Sequence, residues 1–292
     1  MEIALGSAQF GLDYGISNAI GKTGQGQVCD ILSLAASEGV TCIDTAALYG
    51  NAEEVLGACD LQSKPWRLIT KTPKVEGGCV GQLEVDLMRR RFDLSLQQLK
   101  LGQVDGLLLH RYSDFFLPGG DLIYQFLGSL KAQGKVNKIG VSVYTAEQID
   151  QILAQFDIDI IQLPMNIFDQ RLVRSGHLQK LKEAGVEIHV RSVFLQGLVM
   201  MPAEVRPAYF NPITGTLDSF SHACAEFKIT PLAAALQYIE HISEVDYAVV
   251  GVNTLNQMAE IISANKCEIG KFPFESFAIN DSKFVNPAEW AL

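Results

Sequence analysis

Short apolar runs alternate with longer amphipathic stretches along most of the chain, and the pair recurs eight times. The runs Ile3–Leu5, Thr41–Asp44, Arg67–Thr70, Val104–Leu109, Lys138–Val141, Ile158–Leu163, Glu187–Arg191 and Tyr247–Val250 have the length and composition of buried strands. Helical spacing covers Gln25–Glu38, Ala52–Cys59, Val80–Lys100, Leu122–Gln133, Ala146–Phe156, Arg171–Ala184, Thr230–His241 and Leu255–Ala264, with an extra short helix at Leu217–Phe227. Several boundaries have a chemical cause. Gly39, Gly134 and Gly185 follow helical stretches, where a left-handed C-cap costs glycine least. Thr145 caps the helix at Ala146, and Thr230-Pro231 reads as an N-cap followed by proline at the first helical position. Gly197–Thr216, with Pro202, Pro207, Pro212 and Pro231 in or near it, reads as a long loop, and Phe272–Leu292 as a second irregular segment.

Eight strand-helix units predict a closed (β/α)8 TIM barrel of one domain spanning residues 1–292, because eight right-handed parallel connections can remove both sheet edges. An open doubly wound sheet would need a Gly-x-Gly-x-x-Gly loop after its first strand. Gly21-Lys22-Thr23-Gly24-Gln25-Gly26 is glycine-rich but has the wrong spacing. With 48% hydrophobic and 19% charged residues the chain can fill a barrel core. A formal net charge of -10 leaves no basic face for nucleic acid. No apolar stretch reaches membrane-spanning length, and the start lacks a signal-peptide pattern, so a cytoplasmic location is expected. The six cysteines contain no Cys-x-x-Cys pair, which predicts reduced thiols rather than disulfides or a zinc site.

Barrels place chemistry at the carboxyl ends of their strands. Asp44, Lys71 and His110 each end an apolar run, and Tyr49 follows Asp44 on the next loop. Singly, each has an ordinary reading: a turn cap, a solvated lysine, a satisfied histidine, a packing aromatic. Together they make an acid-base group. A phenol has an ordinary pKa of about 10, and a lysine cation beside it favours the phenolate and makes it a better proton donor near neutrality. A carboxylate would hold that lysine charged, and a histidine would orient a carbonyl oxygen. One histidine, one carboxylate and no clustered cysteine do not make a metal site.

The stretch Gly39-Val-Thr-Cys-Ile-Asp44-Thr-Ala-Ala-Leu-Tyr49-Gly-Asn-Ala-Glu53-Glu-Val-Leu-Gly57 closely resembles the signature of the aldo-keto reductases, and Lys71 and His110 fall where that family's lysine and histidine fall. The resemblance runs from Leu5-Gly6 to Val250-Gly251. It implies a (β/α)8 barrel, an NADP(H) or NAD(H) cofactor and no metal. It also implies Tyr49 as general acid, Lys71 and Asp44 as its tuners, and His110 as substrate orienter. Family members with an N-terminal hairpin under the barrel carry residues ahead of the first strand that this chain lacks.

On the same resemblance, Ser142 and Gln162 hold the nicotinamide amide, with Val143 where the family has asparagine. Arg191, Ser192, Phe194, Leu195, Gln196 and Gly197 resemble the loop that embraces the pyrophosphate. Arg191 stands where the family commonly has an aromatic; it would stack on a flat ring, bind a substrate anion or form a structural ion pair with a neighbouring acid. Gly251, Asn253, Gln257 and Glu260 resemble the adenosine-phosphate site. Many relatives carry Lys or Arg at Asn253, and Ile261 replaces a usual asparagine, so weak discrimination between NADPH and NADH is expected. Gly6–Gly15 resembles a bacterial subgroup associated with surface-sugar pathways, and Phe10, Tyr14, Leu48, Tyr112, Phe115 and Met165 are candidates for a mixed aromatic substrate pocket. The expected activity is reduction of an aldehyde, ketone or sugar carbonyl, or the reverse alcohol oxidation. The alternative is a cofactor-binding regulatory subunit of the same fold with little turnover. None of these motifs encodes an oligomeric state.

Overall fold

A computed structural model describes residues 1–291. The strands are β1 (Glu2–Gly6), β2 (Cys42–Asp44), β3 (Arg67–Lys71), β4 (Val104–Leu109), β5 (Val136–Ser142), β6 (Ile160–Pro164), β7 (Glu187–Arg191) and β8 (Tyr247–Gly251). They pair in parallel, in sequence order, and β1 closes on β8. The helices are α1 (Ala8–Gly11), α2 (Gln25–Ser37), α3 (Ala52–Gly57), α4 (Gln82–Leu99), α5 (Asp121–Ala132), α6 (Ala146–Leu153), α7 (Arg171–Arg174), α8 (His177–Glu183), α9 (Thr214–Glu226), α10 (Pro231–Glu240), α11 (Leu255–Asn265) and α12 (Ser282–Val285).

The parallel strands alternate their faces, and this divides the core in two. Ala4, Cys42, Ile69, Leu108, Ile160 and Tyr247 fill the barrel. The outward residues, such as Leu5, Ile43, Leu68, Leu107, Val141 and Ile161, pack under the helices in one continuous cluster. Beneath the inner layer, Arg67 donates to Asp105 (2.8 Å), Glu187 (3.1 Å) and the Tyr247 hydroxyl, while Lys138 meets Glu187 at 2.5 Å. Burial works against the Glu187 charge, but His189 and Lys138 outweigh it and hold the carboxyl at about 2. Arg67, Glu187 and Tyr247 begin β3, β7 and β8, so this ionic plug occupies the end of the barrel opposite the carboxyl ends of the strands.

Thr145 and Thr230 accept from Gln148 N and Ala233 N as capping predicts, and Gly39, Gly134 and Gly185 are left-handed. Three expectations are corrected. The helix foreseen over Arg171–Ala184 breaks into α7 and α8, because Gly176 turns left-handed (φ 76) between them. The loop Gly197–Thr216 contains 3-10 turns at Ala203–Val205 and Ala208–Ile213, and α9 starts earlier than foreseen, at Thr214. Cys29 and Cys59 form a disulfide that ties α2 to the end of α3, rather than staying reduced; the other four cysteines are free. The tail packs Phe272, Phe277 and Phe284 into the core, with Leu292 outside the described residues. No helix among the described residues is long and apolar enough to cross a membrane.

Candidate active site

Strand register carries three polar side chains to one rim. Asp44 ends β2 opposite Gly6 and Ile69, Lys71 ends β3 opposite Leu108, and His110 directly follows β4. Lys71 is buried, and its ammonium donates to Asp44 Oδ1 at 2.6 Å, to the Thr45 carbonyl at 2.9 Å and to the Tyr49 hydroxyl at 3.4 Å. Burial works against that charge, yet the Asp44 carboxylate and the Tyr49 hydroxyl more than compensate, so the Lys71 pKa lies above its ordinary value. The Tyr49 and His110 rings meet edge to face, with centroids 6.0 Å apart. Burial first, then the cations of Lys71, Lys74 and Arg191, push the His110 pKa down to about 3, so its ring is neutral at physiological pH. The structure therefore brings Asp44, Tyr49, Lys71 and His110 together.

The Tyr49 turn is fixed from two sides. Gly50 is left-handed (φ 57), and a Cβ there would lie 2.3 Å from the Gly11 carbonyl oxygen. A Cβ on Gly11 would lie 1.8 Å from the Tyr49 carbonyl oxygen, so only two glycines allow this approach. From the other side Arg91 donates to the Ala47 carbonyl (2.8 Å) and to Glu53 (3.0 Å). Buried Glu53 also accepts from Thr70 (2.7 Å) and Ser95 (2.9 Å), which satisfies its charge. Glu53 belongs to the motif stretch read from the sequence; Arg91, on the outer helix α4, carries no sequence signal of this role.

Beside the tetrad, Ser142, at the end of β5, and Gln162, in the middle of β6, are register partners, and both are buried. Gln162 donates its amide N–H to Asp44 Oδ2 at 2.7 Å, a link between the two groups of residues that sequence reasoning missed. Its carbonyl oxygen and the Ser142 hydroxyl are the groups left for an amide ligand. Ser7 Oγ, Thr45 Oγ1 and His110 Nδ1 are buried with no hydrogen-bond partner among the described residues, three orphaned atoms near one rim. After β7 the backbone is left-handed at Ser192 (φ 62), Leu195 (φ 47), Gln196 (φ 53) and Gly197 (φ 96). Such non-glycine conformations cost about 1–3 kcal/mol each and cluster at ligand-binding loops. A Cβ on Gly197 would lie 1.8 Å from Ser17 Oγ, and Ser17 donates to the Gln196 carbonyl at 3.3 Å, so the loop after α1 rests on this segment. Phe194 is partly buried against the core, which is where Leu195 lies entirely.

At the end of β8 a Cβ on Gly251 would meet Gln9 Oε1 at 2.4 Å. Thr254 and Gln257 form a reciprocal capping box at the start of α11, and Gln257 Oε1 also accepts from Asn253 N at 2.7 Å. The Asn253 side chain is turned away into the loop after α1, donating to the Gly21 carbonyl at 3.0 Å. Glu260 is exposed on α11. Capping leaves the N–H groups of Leu255 and Asn256 for an anion, without a basic side chain in the cap. The residues present thus fit a dinucleotide: an amide-binding pair near the tetrad, a strained backbone loop and a helix start.

The six candidate pocket residues divide. Phe10 and Met165 are wholly buried in the core and Phe115 is stacked on Phe156 (4.5 Å), so these three offer no surface to a substrate. An aromatic at a loop start reads the same in sequence whether it packs inward or outward. Tyr14, Leu48 and Tyr112 do reach solvent, and Tyr112 donates to the Gln151 side chain. Enclosure of the Tyr14 hydroxyl, helped by nearby Tyr49 and opposed by the Arg191 guanidinium, raises its pKa. Tyr144, absent from the sequence reading, lies under the Arg191 guanidinium at 4.2 Å.

Residues 2–283 match the model of the aldo/keto reductase family. The NADH-specific methylglyoxal reductase of Escherichia coli is 25% identical over 82% of this chain and 82% of its own length. Aldo-keto reductase YhdN of Bacillus subtilis is 28% identical over 53% of this chain and 48% of its own. Among solved structures, the holo form of aldo-keto reductase AKR11C1 from Bacillus halodurans superposes with a TM-score of 0.75 at 20% identity, over 94% of this chain and 89% of that one. The glycerol dehydrogenase AKR11B4 of Gluconobacter oxydans gives 0.70 at 19% identity, over 94% and 88%. With the closed barrel and the rim residues already in place, the family match leads to one conclusion: this chain belongs to the aldo/keto reductase family.

Proposed function

We propose that the chain is an NAD(P)H-dependent oxidoreductase that reduces an aldehyde, ketone or sugar carbonyl, or runs the reverse alcohol oxidation, with Tyr49 as general acid and base. The observation that carries this reading is the buried Asp44–Lys71 pair set against the Tyr49 hydroxyl. Nicotinamide, when bound, would supply the hydride taken up by the carbonyl carbon. In reduction the Tyr49 O–H bond breaks and its proton goes to the carbonyl oxygen, leaving a phenolate beside the Lys71 ammonium. That ammonium is already charged and already oriented, so it stabilises the phenolate without reorganising. Neutral His110 donates an N–H to the same oxygen and sets its angle. Ser142 and Gln162 would hold the nicotinamide amide, and residues 192–197 and 251–260 the phosphates and adenosine. Gln162, bonded to Asp44, makes the amide site and the acid-base group one hydrogen-bonded unit.

Asn253 supplies no charge to a 2′-phosphate and its side chain is already engaged, which supports discrimination between NADPH and NADH below about 100-fold, or ~2.7 kcal/mol. The test is a panel of carbonyl compounds with each dinucleotide. Tyr49→Phe is expected to lose about 10²–10⁴ in kcat while still binding dinucleotide. Equal rates for wild type and Tyr49→Phe on every substrate turned over would remove Tyr49 from the chemistry.

A further inference from the structure

Arg191 ends β7 on the same rim as the tetrad, and its guanidinium is half-buried. It has five N–H donors. Its protein partners are the Val143 carbonyl at 3.3 Å and the Ser192 hydroxyl at 3.4 Å, both long and neither charged. The guanidinium lies over the Tyr144 ring, 4.2 Å from its centroid, rather than against an acid. Of the other partly buried arginines, Arg67 meets Asp105, Arg91 Glu53, Arg111 Asp114, Arg171 Asp169 and Arg206 Asp218, while Arg89 lies over the Phe126 ring without a carboxylate among the described residues.

Two lysines of nearby loops also have no carboxylate partner among the described residues. Lys74, exposed on the loop after β3, forms no ion pair among the described residues, and Lys22 reaches only Asn51 Oδ1, at 3.2 Å. Asp44, Glu53 and Asp114, the acids of the neighbouring β2 and β4 rim, are each taken by a cation. Asp13 at the edge, beside Gly21, and exposed Glu76 on the loop of Lys74 are the acids that stand against this set. Lys71, Lys74 and Arg191 each help to lower the His110 pKa, and Arg191 ends β7 on the rim that carries His110 after β4. In a chain of net charge -10, Arg191 is thus a cation on the rim of the proposed reaction centre with no carboxylate partner among the described residues.

We infer that the Arg191 guanidinium receives an anionic group of the substrate, so that the compounds this protein reduces are carbonyls carrying a carboxylate or a phosphate a few bonds from the reacting carbon. The inference rests on the reductase reading above and names its substrate class. A planar fork of donors matches either anion in two hydrogen bonds, and the Tyr144 ring keeps that fork from swinging into solvent.

The test uses the full chain with saturating dinucleotide and two matched pairs: succinic semialdehyde against butanal, and glyceraldehyde 3-phosphate against glyceraldehyde. The anionic member of at least one pair is expected to exceed its neutral partner at least tenfold in kcat/KM, mainly through KM; which pair shows it separates carboxylate from phosphate. Arg191→Gln should lower that anionic-to-neutral ratio about tenfold and Arg191→Lys by less, with dinucleotide affinity, read by fluorescence titration, changed less than threefold. Independently of turnover, malonate or inorganic phosphate should raise the melting temperature of the wild-type dinucleotide complex and not of the Arg191→Gln complex. Neutral partners that match both anions would overturn the inference. So would equal losses on both members of a pair, a tenfold weaker dinucleotide, or stabilisation that survives Arg191→Gln. Tyr49-dependent turnover of butanal or glyceraldehyde without anion preference would sink the substrate class and leave the reductase reading standing. If no carbonyl is turned over at all, the reductase reading fails, and the substrate class with it.

Discussion

The role proposed for His110, donating to a carbonyl oxygen, is best filled by an uncharged ring, because a third positive charge beside Lys71 and Arg191 would be repelled. Burial and those cations hold His110 at about 3, well below the ordinary 6.5. Between these values the unfolded chain binds a proton that the folded chain refuses. His110 therefore favours folding above pH 6.5, and that contribution is lost as pH falls from 6.5 toward 3. Denaturant titrations should show wild type losing stability over this window more steeply than His110→Gln. Correspondingly, kcat/KM should show no inflection between pH 6 and 7 that His110→Gln removes; finding one would mean that the ring is charged in the working site. Asp44, Lys71 and His110 were legible in the sequence because each terminates an apolar run, and a strand end in a barrel has one rim to face. The Gln162–Asp44 bond was not, since it joins residues 118 apart through strand placement alone. Nor was the inward packing of Phe10 and Met165.

Elements hold Tyr49 more tightly than its own loop could. The last turn of α1 lies against the Tyr49-Gly50 turn at a distance that admits no Cβ on Gly11. Gly11→Ala must push the Tyr49 carbonyl outward, and overpacking of this kind costs about 1–3 kcal/mol. Its kcat should fall at least tenfold, because a shift near 1 Å at the reacting group is costly. Gly26→Ala, on exposed α2 with nothing within 4 Å, should leave both stability and kcat within error or slightly improved. Equal kcat for the two variants would show that the α1 contact does not position the acid. At this scale the sequence was informative where one residue type has a single cheap conformation, as at Gly39 and Thr230. It was silent on α1, a four-residue helix too short for a periodic signal, and it missed the break at Gly176, whose apolar pattern continues on both sides.

The whole molecule is a ring whose closure brings β2, β3 and β4 side by side, and the eightfold alternation announced that ring before any contact was known. The disulfide between Cys29 and Cys59 had no such signal: two cysteines 30 residues apart, on neighbouring helical layers, look in sequence like packed thiols. Closing a loop of that length stabilises by up to about 3–4 kcal/mol in the chain-entropy model. Unfolded without reductant, the chain should titrate four thiols, and six after reduction; reduction should also lower the melting temperature by several degrees. Six thiols without reductant would remove the bond. The ring serves one end, the placing of the Lys71 ammonium against the Tyr49 hydroxyl. The most direct measurement of that is a double-mutant cycle on the single-turnover rate of carbonyl reduction, using Tyr49→Phe, Lys71→Met and both together. If the two groups act as one acid, each single change costs nearly as much as the pair, so the losses do not add. Fully additive losses, from variants that still fold and bind dinucleotide, would contradict it.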